Sequence, residues 1–321
     1  MRVLKKICVL LVLVAMSELA GAQSYPGKPV RIINAFPPGG PTDLMSRAIG
    51  PKLGESLGQP VIVEYKPGAN ARIGTDYVAK SAADGYTLLL IPPSHLTNPS
   101  TQKNLPYDSL KDFTGVSPVA HGDVVLLVNP KLPINSVKEL VALAKSRPGK
   151  LNYASATTGG SLHLGAELLK LVAGFDMLMV PYNGAGPALQ DLIAGTADLM
   201  FVSAAPAIAQ IRAGRVRLIA VASLKRSSSF PDTPTVVEAG YSKFEIGSDY
   251  GIIAPAATPR PVINRLNGAL EKILATPEVR PIFAGLGVEP WWDTPEQYTT
   301  WIRDEVEKWA AVARAIKYQP E

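Results

Sequence analysis

Residues 30–49 read VRIINAFPPGGPTDLMSRAI, and this stretch decides the fold because it joins a strand to a helix through a tight turn. Apolar side chains dominate residues 30–36, which predicts a short buried strand. The prolines and glycines of residues 37–41 fit neither a strand nor a helix. Apolar residues then recur at helical spacing, with Thr42 or Asp43 as the predicted N-cap.

The start of this helix is also a predicted ligand site. In an open α/β sheet, ligands lie beyond the carboxyl ends of the strands, where turns of this kind occur. The first amides of a helix have no partner within it, and the helix dipole favours negative charge at that end. The turn that contains Gly39 and Gly40 is therefore suited to a carboxylate or another anion.

A second strand, glycine turn and helix follow about 120 residues later, in LNYASATTGGSLHLGAELL at residues 151–169. Residues 151–155 are typical of a strand, residues 156–160 of a turn, and Ser161 is the predicted N-cap. Taken alone, either turn is equally well interpreted as an ordinary connection between a strand and a helix, with no role in binding. Two anion-suited turns on separate α/β units nevertheless favour a ligand held between two lobes.

The first 22 residues have the pattern of a cleavable signal peptide. Three basic residues precede an apolar core at residues 7–16, and small residues at 20–22 form the expected cleavage site. The core is too short to span a membrane, although an uncleaved N-terminal anchor is an alternative. Because the single cysteine, Cys8, lies in this segment, we expect a secreted mature chain without disulfides.

Length and charge narrow the class of protein further. About 300 residues remain after cleavage, enough for two domains with well-filled cores. The net charge of +5 falls to about +3, because three basic residues and Glu18 are removed. This charge is too small and too scattered to indicate a nucleic-acid partner. No later segment has 18 consecutive apolar residues, so no membrane span is predicted.

The order of predicted elements indicates a two-lobe α/β fold with mostly parallel sheets. Strand, turn and helix follow one another three times in the first hundred residues, which is typical of a parallel sheet. The chain then crosses to a second lobe and later returns, and two such crossings form a hinge. We predict a discontinuous first domain at residues 23–121 and 250–321, and a second domain at residues 122–249.

Motifs for metal, nucleotide or covalent chemistry do not stand out in the sequence. Three histidines and no cysteine in the mature chain disfavour structural zinc, and no phosphate-binding loop or dinucleotide fingerprint follows a strand. Ser161 and His163 are two residues apart, so they do not face each other on a helix. We therefore expect no catalysis, no cofactor and no metal, although catalytic groups distant in sequence can meet in space.

Short motifs along the chain resemble those of the substrate-binding receptors of tripartite tricarboxylate transporters, the Bug family. They are Tyr25-Pro26, Phe36-Pro37-Pro38-Gly39-Gly40 with Asp43, Lys66-Pro67-Gly68-Ala69, Ile73-Gly74, Asp84-Gly85-Tyr86-Thr87-Leu88, Leu151-Asn152-Tyr153-Ala154-Ser155, His163-Leu164, Val180-Pro181-Tyr182 and Thr258-Pro259. The resemblance covers essentially the whole mature chain in order. It implies a periplasmic-binding-protein-like fold that closes on a small carboxylate, docks on membrane transporter subunits and is a monomer.

The resemblance also implies which residues bind the ligand, largely through backbone amides and ordered water. In the first lobe they are Phe36, Gly39, Gly40, Asp43, Gly68, Ala69 and Ile73; in the second lobe they are Ser155, Gly160, Ser161 and His163; and the far wall is Tyr182, Asn183 and Ser203. We add Ser94, because it follows the carboxyl end of the third strand. For His163, a ligand donor and a local scaffold are equally good interpretations.

Two departures from the family pattern bear on the choice of ligand. Asn70 and Ala71 replace the usual pair of glycines, and Asp249 replaces an aromatic residue before Tyr250. Arg72 could reach a second carboxylate, or it could be an ordinary exposed arginine of a turn. Asp249 could pair with an ammonium group of the ligand, or cap a backbone turn at the hinge.

These observations favour a periplasmic receptor for a small mono- or dicarboxylate. A component that passes its ligand to a signalling kinase would have the same fold. A secreted enzyme on a two-lobe scaffold is the alternative from another class, because fold does not fix function. Turnover of a bound carboxylate would favour the enzyme.

Overall fold

The computed structural model describes residues 25–242 and 244–320, and its first part alternates strands with helices. The predicted signal peptide lies outside the described residues. The first elements are β1 (Val30–Asn34), α1 (Pro41–Leu57), β2 (Val61–Tyr65), α2 (Arg72–Ala79), β3 (Thr87–Ile91), α3 (Ser94–Thr101) and β4 (Phe113–Gly122).

The middle of the chain forms a second set of elements, after which the chain returns to the first set. The middle set is β5 (Val124–Val128), α4 (Val137–Ser146), β6 (Asn152–Ser155), α5 (Ser161–Ala173), β7 (Leu178–Pro181), α6 (Ala185–Ala194), β8 (Leu199–Ser203), α7 (Ala204–Arg212) and β9 (Arg217–Val221). The returning elements are β10 (Tyr250–Pro255), α8 (Arg260–Leu274), α9 (Val279–Gly285), β11 (Val288–Pro290) and α10 (Pro295–Ala315).

The strands form two separate sheets, one for each lobe. The first has the order β11-β4-β10-β3-β1-β2, so it contains strands from both ends of the described chain. The second has the order β7-β6-β8-β5-β9 and comes entirely from the middle. The two-lobe α/β architecture is therefore confirmed, whereas the domain boundaries at residues 122 and 250 stay a prediction.

The expectation of mostly parallel sheets is wrong, because both sheets are mixed. β1 is parallel to β2 and β3, and β6 is parallel to β7 and β8. In contrast, β10 is antiparallel to β3 and β4, β11 is antiparallel to β4, and β5 is antiparallel to β8 and β9. Two neighbouring parallel strands must be joined by a long crossover connection, which is usually a helix. β5 and β10 have no such connection to their neighbours, because each enters its sheet directly from the other lobe.

The two crossing segments lie side by side. β4 leads into β5 through Asp123, which forms an antiparallel bridge with Gly247 of the returning segment. The amide of Ser248 also donates to the carbonyl oxygen of Gly122 at 3.0 Å. The two connections between the lobes therefore form one narrow hinge.

Helix α10 packs against both lobes. Its Tyr298 and Trp309 are buried, and it contacts α3 and β4 of the first lobe and α5 of the second. Trp309 belongs to a cluster of buried apolar side chains that includes Leu89 of β3 and Tyr153 of β6. The apolar spacing of this helix thus reflects core packing.

No helix in residues 25–242 and 244–320 is long and apolar enough to cross a bilayer.

Two helix starts are fixed by capping hydrogen bonds. The Ser136 hydroxyl accepts from the Glu139 amide at 3.2 Å, and the Glu139 carboxylate accepts from the Asn135 amide at 2.6 Å. The Thr294 hydroxyl accepts from the Gln297 amide at 3.3 Å at the start of α10. Polar side chains therefore set these two starts, as expected for a capping residue.

Candidate functional site

The candidate site lies where strands of both lobes end. β1, β2 and β3 are parallel neighbours, so their carboxyl ends lie at one edge of the first sheet. β6, β7 and β8 are likewise parallel, so their carboxyl ends lie at one edge of the second sheet. Most of the predicted site residues are in the turns that follow these ends or in the first turn of the helix that comes next.

The first glycine turn ends at a helix that starts earlier than expected. Gly39 has φ +93°, and Gly40 is the N-cap of α1, with φ −84° and ψ 175°. The prediction of Thr42 or Asp43 as the N-cap is therefore wrong. Proline is pre-organised for the first helical position, so Pro41 starts the helix and leaves Gly40 at the cap.

Asp43 holds the first turn together from within the helix. One of its carboxylate oxygens accepts from the Gly39 amide at 2.8 Å. The other accepts from Arg47 Nε at 2.7 Å and from the Tyr65 hydroxyl at 2.6 Å. Burial alone would raise the pKa of this carboxyl, but the hydrogen bonds from Tyr65, Gly39 and Arg47 outweigh burial and lower the pKa below its ordinary value.

The turn after β2 packs closely on the first turn. The Lys66 amide donates to the carbonyl oxygen of Asn34 at 2.8 Å. A Cβ on Gly74 would lie 2.8 Å from the Cβ of Ala35, so only glycine fits this contact. The turns after β1 and β2 therefore form one continuous surface of the first lobe.

Residues 68–71 of the turn after β2 have left-handed or otherwise positive φ angles. The values are +132° for Gly68, 48° for Ala69, 50° for Asn70 and 73° for Ala71. Positive φ costs an L-residue roughly 1–2 kcal/mol, so three in a row require outside support. The side chain of Asn98 in α3 supplies contacts to Asn70 at 3.0 Å.

The side chains that flank this turn have different surroundings. Ile73 is 54% exposed and lies beside Gly68. Arg72 reaches the carbonyl oxygen of Lys103 at 3.5 Å, which is a long hydrogen bond and a contact that neither interpretation of this arginine anticipated. The Ser94 hydroxyl at the start of α3 is buried and has no hydrogen-bond partner within the described residues.

The second glycine turn has the same backbone design as the first. Gly159 has φ +73°, and Gly160 is the N-cap of α5, with φ −77° and ψ 167°. The prediction of Ser161 as the N-cap is therefore wrong by one residue. Ser161 occupies the first helical position instead, because its own backbone is already helical and Gly160 takes the extended cap conformation.

His163 reaches back to this turn, as Asp43 does in the first lobe. Its Nδ1 accepts from the Gly159 amide at 2.9 Å, which places the ring proton on Nε2 when the imidazole is neutral. The ring stacks on Tyr153 with 6.4 Å between the ring centroids and meets the edge of Tyr318 at 5.9 Å. His163 is therefore part of the local scaffold, and a contact with ligand stays a prediction.

The predicted far wall follows β6, β7 and β8. The Ser155 hydroxyl donates to the carbonyl oxygen of Thr157 at 2.8 Å, within the second glycine turn. The Tyr182 amide donates to the carbonyl oxygen of Ser155 at 2.8 Å, and its hydroxyl donates to Asp191 at 2.7 Å. Asn183 follows directly, and Ser203 is the N-cap of α7 without a side-chain capping bond.

Helix α3 connects the turns of the two lobes. Asn98 contacts the turn of residues 68–71, and Thr101, one turn further along, lies against Gly159 of the second lobe. A Cβ on Gly159 would lie 3.1 Å from the Cβ of Thr101 and 2.8 Å from the Tyr318 hydroxyl. The candidate surfaces of the two lobes are thus joined through α3.

Asp249 has a partner that neither sequence-based interpretation named. Its carboxylate lies 2.5 Å from Nδ1 of His121, at the hinge. Burial alone would lower the pKa of His121, but Asp249 outweighs burial and raises the pKa to about 9. Asp123 and Glu245 add to this effect. At neutral pH the contact is therefore an ion pair between the two crossing strands.

In five cavities of the described part of the chain, no two of the predicted site residues occur together. The largest of the five, about 1020 Å³, is lined by Ile73 together with Lys66 and Tyr77. A cavity of about 360 Å³ beside Trp291 and Trp301 is lined by Asp249. Neither Gly39 nor Gly160 lines any of the five.

Sequence analysis missed several residues that support these turns. The spacing of Asp43 and Arg47 is that of an ion pair on one helix face, so this pair was detectable. Asn98 and His121 gave no such signal, because each partner is distant in sequence. The described residues contain no group of His, Cys, Asp and Glu side chains that could hold a metal ion.

Comparison with known proteins identifies the family. Residues 45–318 match the model of the tripartite tricarboxylate transporter family receptor, and the chain belongs to this family. It is 38% identical to Protein BugT of Bordetella pertussis over 315 residues, which are 98% of this chain and 97% of the relative. The predicted resemblance is therefore confirmed.

Two solved structures of similar proteins contain carboxylates. R. palustris Rpa4515 with adipate has a TM-score of 0.77 and 31% identity, covering 92% of this chain and 100% of that protein. MatC from Rhodopseudomonas palustris with bound malate has a TM-score of 0.71 and 32% identity, covering 90% of this chain and 99% of that protein. The fold of this chain is thus shared with two proteins that bind dicarboxylates.

Proposed function

We propose that this protein is a periplasmic receptor which captures a small dicarboxylate between its lobes and delivers it to a tripartite tricarboxylate-type transporter. The observation that carries the proposal is the pair of matching glycine turns at Gly39–Gly40 and Gly159–Gly160. Each turn delivers a helix N-terminus, which offers unpaired amides and a favourable dipole to an anion. The adipate and malate bound by similar proteins support a dicarboxylate as ligand.

In this proposal each end of the ligand contacts one lobe. The first-lobe contacts are the turns after β1, β2 and β3, and the second-lobe contacts are the turns after β6, β7 and β8. The proposed ligand residues are Phe36, Gly39, Gly40, Asp43, Gly68, Ala69, Arg72, Ile73, Ser94, Ser155, Gly160, Ser161, His163, Tyr182, Asn183 and Ser203. A ligand that binds the closed form more tightly shifts the hinge equilibrium towards closure.

Asp249 is not among the proposed ligand residues. Its pairing with His121 at the hinge supports a structural role more strongly than a contact with an ammonium group of the ligand. We propose that the chain is exported by the signal peptide at residues 1–22, folds into domains with boundaries near residues 122 and 250, and acts as a monomer without catalysis. Membrane subunits of the transporter are its proposed partners.

A thermal-shift experiment tests the proposal with the chain that starts at residue 23. Adipate, malate and a monocarboxylate are compared with adipamide, which keeps the length of adipate but has no charge. A ligand at 100 times its dissociation constant stabilises the folded state by about 2.7 kcal/mol. We expect a concentration-dependent rise in melting temperature with a dicarboxylate and none with adipamide.

Calorimetry then gives the affinity and stoichiometry for the best ligand. Stabilisation by adipamide equal to that by adipate would contradict recognition of the charged groups. NMR spectra of the ligand would detect its conversion to a product. Such conversion would favour the alternative that the protein is a secreted enzyme. A complete lack of stabilisation by all the carboxylates would reject the proposed function.

A further inference from the structure

The turn of residues 68–71 has a backbone that its side chains disfavour. Ala69, Asn70 and Ala71 all have φ between 48° and 73°, where L-residues are uncommon. Such strained residues persist only where the surrounding structure holds them, and they cluster at ligand-binding sites.

Asn98 makes two reciprocal hydrogen bonds with Asn70. Its Nδ2 donates to the Asn70 carbonyl oxygen at 3.0 Å, and its Oδ1 accepts from the Asn70 side-chain amide at 3.0 Å. Asn98 is fully buried in α3, whereas Asn70 is exposed. A buried side chain therefore holds the exposed Asn70 through both its backbone and its side chain.

The bond to the carbonyl oxygen fixes a whole peptide unit. In a planar trans peptide, the carbonyl oxygen and the next N–H point in opposite directions. Because the Asn70 oxygen faces Asn98, the Ala71 N–H points away from α3. Rotation of this unit would exchange the positions of a hydrogen-bond donor and an acceptor, and an acceptor repels a carboxylate.

We propose that Asn98 is a positioning residue that locks the turn of residues 68–71 in the orientation required to bind a carboxylate. The proposal rests on the proposed function for its effect on affinity, but the lock itself does not depend on any ligand. Asn98 acts through the turn and does not touch the ligand.

The lock is tested first without ligand, by hydrogen exchange with mass spectrometry on peptides that cover residues 66–78. The amides of Arg72 and Thr75 donate to the carbonyl oxygens of Ala69 and Ala71 at 3.1 Å, so they report on the turn. In Asn98→Ala we expect these amides to exchange about tenfold faster, the factor for a loss of one hydrogen bond.

Asn267→Ala is the matched control. Asn267 is also a buried asparagine of the first lobe, and its Nδ2 donates to the carbonyl oxygens of Val116 and Asp293 at 2.9 Å, away from the turn. We expect this variant to lose stability without faster exchange in residues 66–78. Equal exchange of this segment in wild type and in folded Asn98→Ala would overturn the lock.

The second measurement separates the two bonds, by calorimetry with adipate and malate. Asn98→Asp keeps the acceptor for the Asn70 side chain but loses the donor to its carbonyl oxygen, whereas Asn70→Gly does the reverse and tolerates positive φ. We expect affinity to fall about tenfold in Asn98→Asp and in Asn98→Ala, and to stay within about threefold of wild type in Asn70→Gly and Asn267→Ala.

The two measurements fail in different ways. If wild type binds neither dicarboxylate, the proposed function is contradicted while hydrogen exchange still tests the lock. If wild type binds and Asn98→Asp binds within threefold of it, the positioning role is overturned and the proposed function is retained.

Discussion

The two glycine turns have nearly the same backbone, but the side chain that supports each turn is a charged carboxylate in one lobe and an imidazole in the other. In each, a glycine with positive φ precedes a glycine N-cap, and a side chain four residues after the first glycine accepts its amide hydrogen. In the first lobe that side chain is Asp43, and in the second it is His163. The local backbone therefore requires an acceptor at this position but does not require a charge.

This difference changes what each helix start offers an anion. The Asp43 carboxylate already interacts with the positive end of the α1 dipole and is paired with Arg47. His163 adds no negative charge at the start of α5, where it lies between two tyrosines. We therefore expect the second-lobe turn to provide the stronger electrostatic attraction for a carboxylate.

The largest expected effect comes from adding a methyl group at the two equivalent glycines. Gly39→Ala places an L-residue at positive φ but meets no atom within 4 Å, so it costs about 1–2 kcal/mol. Gly159→Ala has the same cost and also meets Thr101 and Tyr318, which adds about 1–3 kcal/mol of overpacking. Urea unfolding of both variants measures the difference.

Gly174→Ala is the control for this pair, because Gly174 has φ +65° at the end of α5 and open space around its Cβ. It should lose about as much stability as Gly39→Ala. An equal loss in Gly39→Ala and Gly159→Ala would show that α3 does not press on the second turn.

The next largest effect tests the charge of Asp43. Asp43→Asn keeps one acceptor for the Gly39 amide but removes the charge that strengthens three hydrogen bonds, so we expect a loss of about 1.5–3 kcal/mol at pH 7. Because the pKa of folded Asp43 is lowered, its contribution is present above the unfolded pKa of about 3.9 and is lost as pH falls further.

Unfolding free energies between pH 7 and pH 3 measure this dependence. Wild type should lose stability more steeply than Asp43→Asn below about pH 4, where the Asp43 carboxylate of the unfolded chain takes up a proton more readily than that of the folded chain. Parallel pH curves for the two proteins would mean that Asp43 contributes through its shape alone.

The smallest effect concerns the hinge, where titration has the opposite sign. The pKa of His121 is raised to about 9, so the stability contributed by its ion pair with Asp249 is fully present below the unfolded pKa of about 6.5 and is lost as pH rises towards 9. Asp43 stays ionised throughout this range, which isolates the hinge contribution. His121→Gln should therefore flatten the pH dependence of stability between pH 6.5 and pH 9.

Asp249→Asn should give most of this flattening, because it removes the carboxylate that raises the pKa of His121 the most and leaves only the smaller effects of Asp123 and Glu245. The side chain of His121 is 37% exposed, so we expect a modest change that needs chemical denaturation at closely spaced pH values. A slope that persists in both variants would assign the titration to another group.

Local features of the sequence predicted the two glycine turns. Glycine and proline restrict the backbone near themselves, so the turns at Gly39 and Gly159 were recognisable from the sequence. The N-caps at the two glycine turns were misplaced, because Thr42, Asp43 and Ser161 also have capping side chains. Local sequence does not decide which of several neighbouring residues is the N-cap.

Features that join distant segments were not predictable in this way. The pairing of β10 between β3 and β4 depends on where the chain returns from the other lobe, which explains the error about parallel sheets. His121 and Asp249 are separated by the whole second lobe, and Asn98 meets Asn70 only through the packing of α3. The spacing of residues within one helix or strand does not predict these contacts.

The position of Trp309 provides a natural optical reporter of lobe movement. Its indole is buried where α10 meets both lobes, and its Nε1 donates to Glu305 at 3.1 Å. Tryptophan emission depends on the polarity around the ring, so a change in lobe packing alters its wavelength. The chain has four tryptophans, and a variant that keeps only Trp309 would let closure be followed in real time without an attached dye.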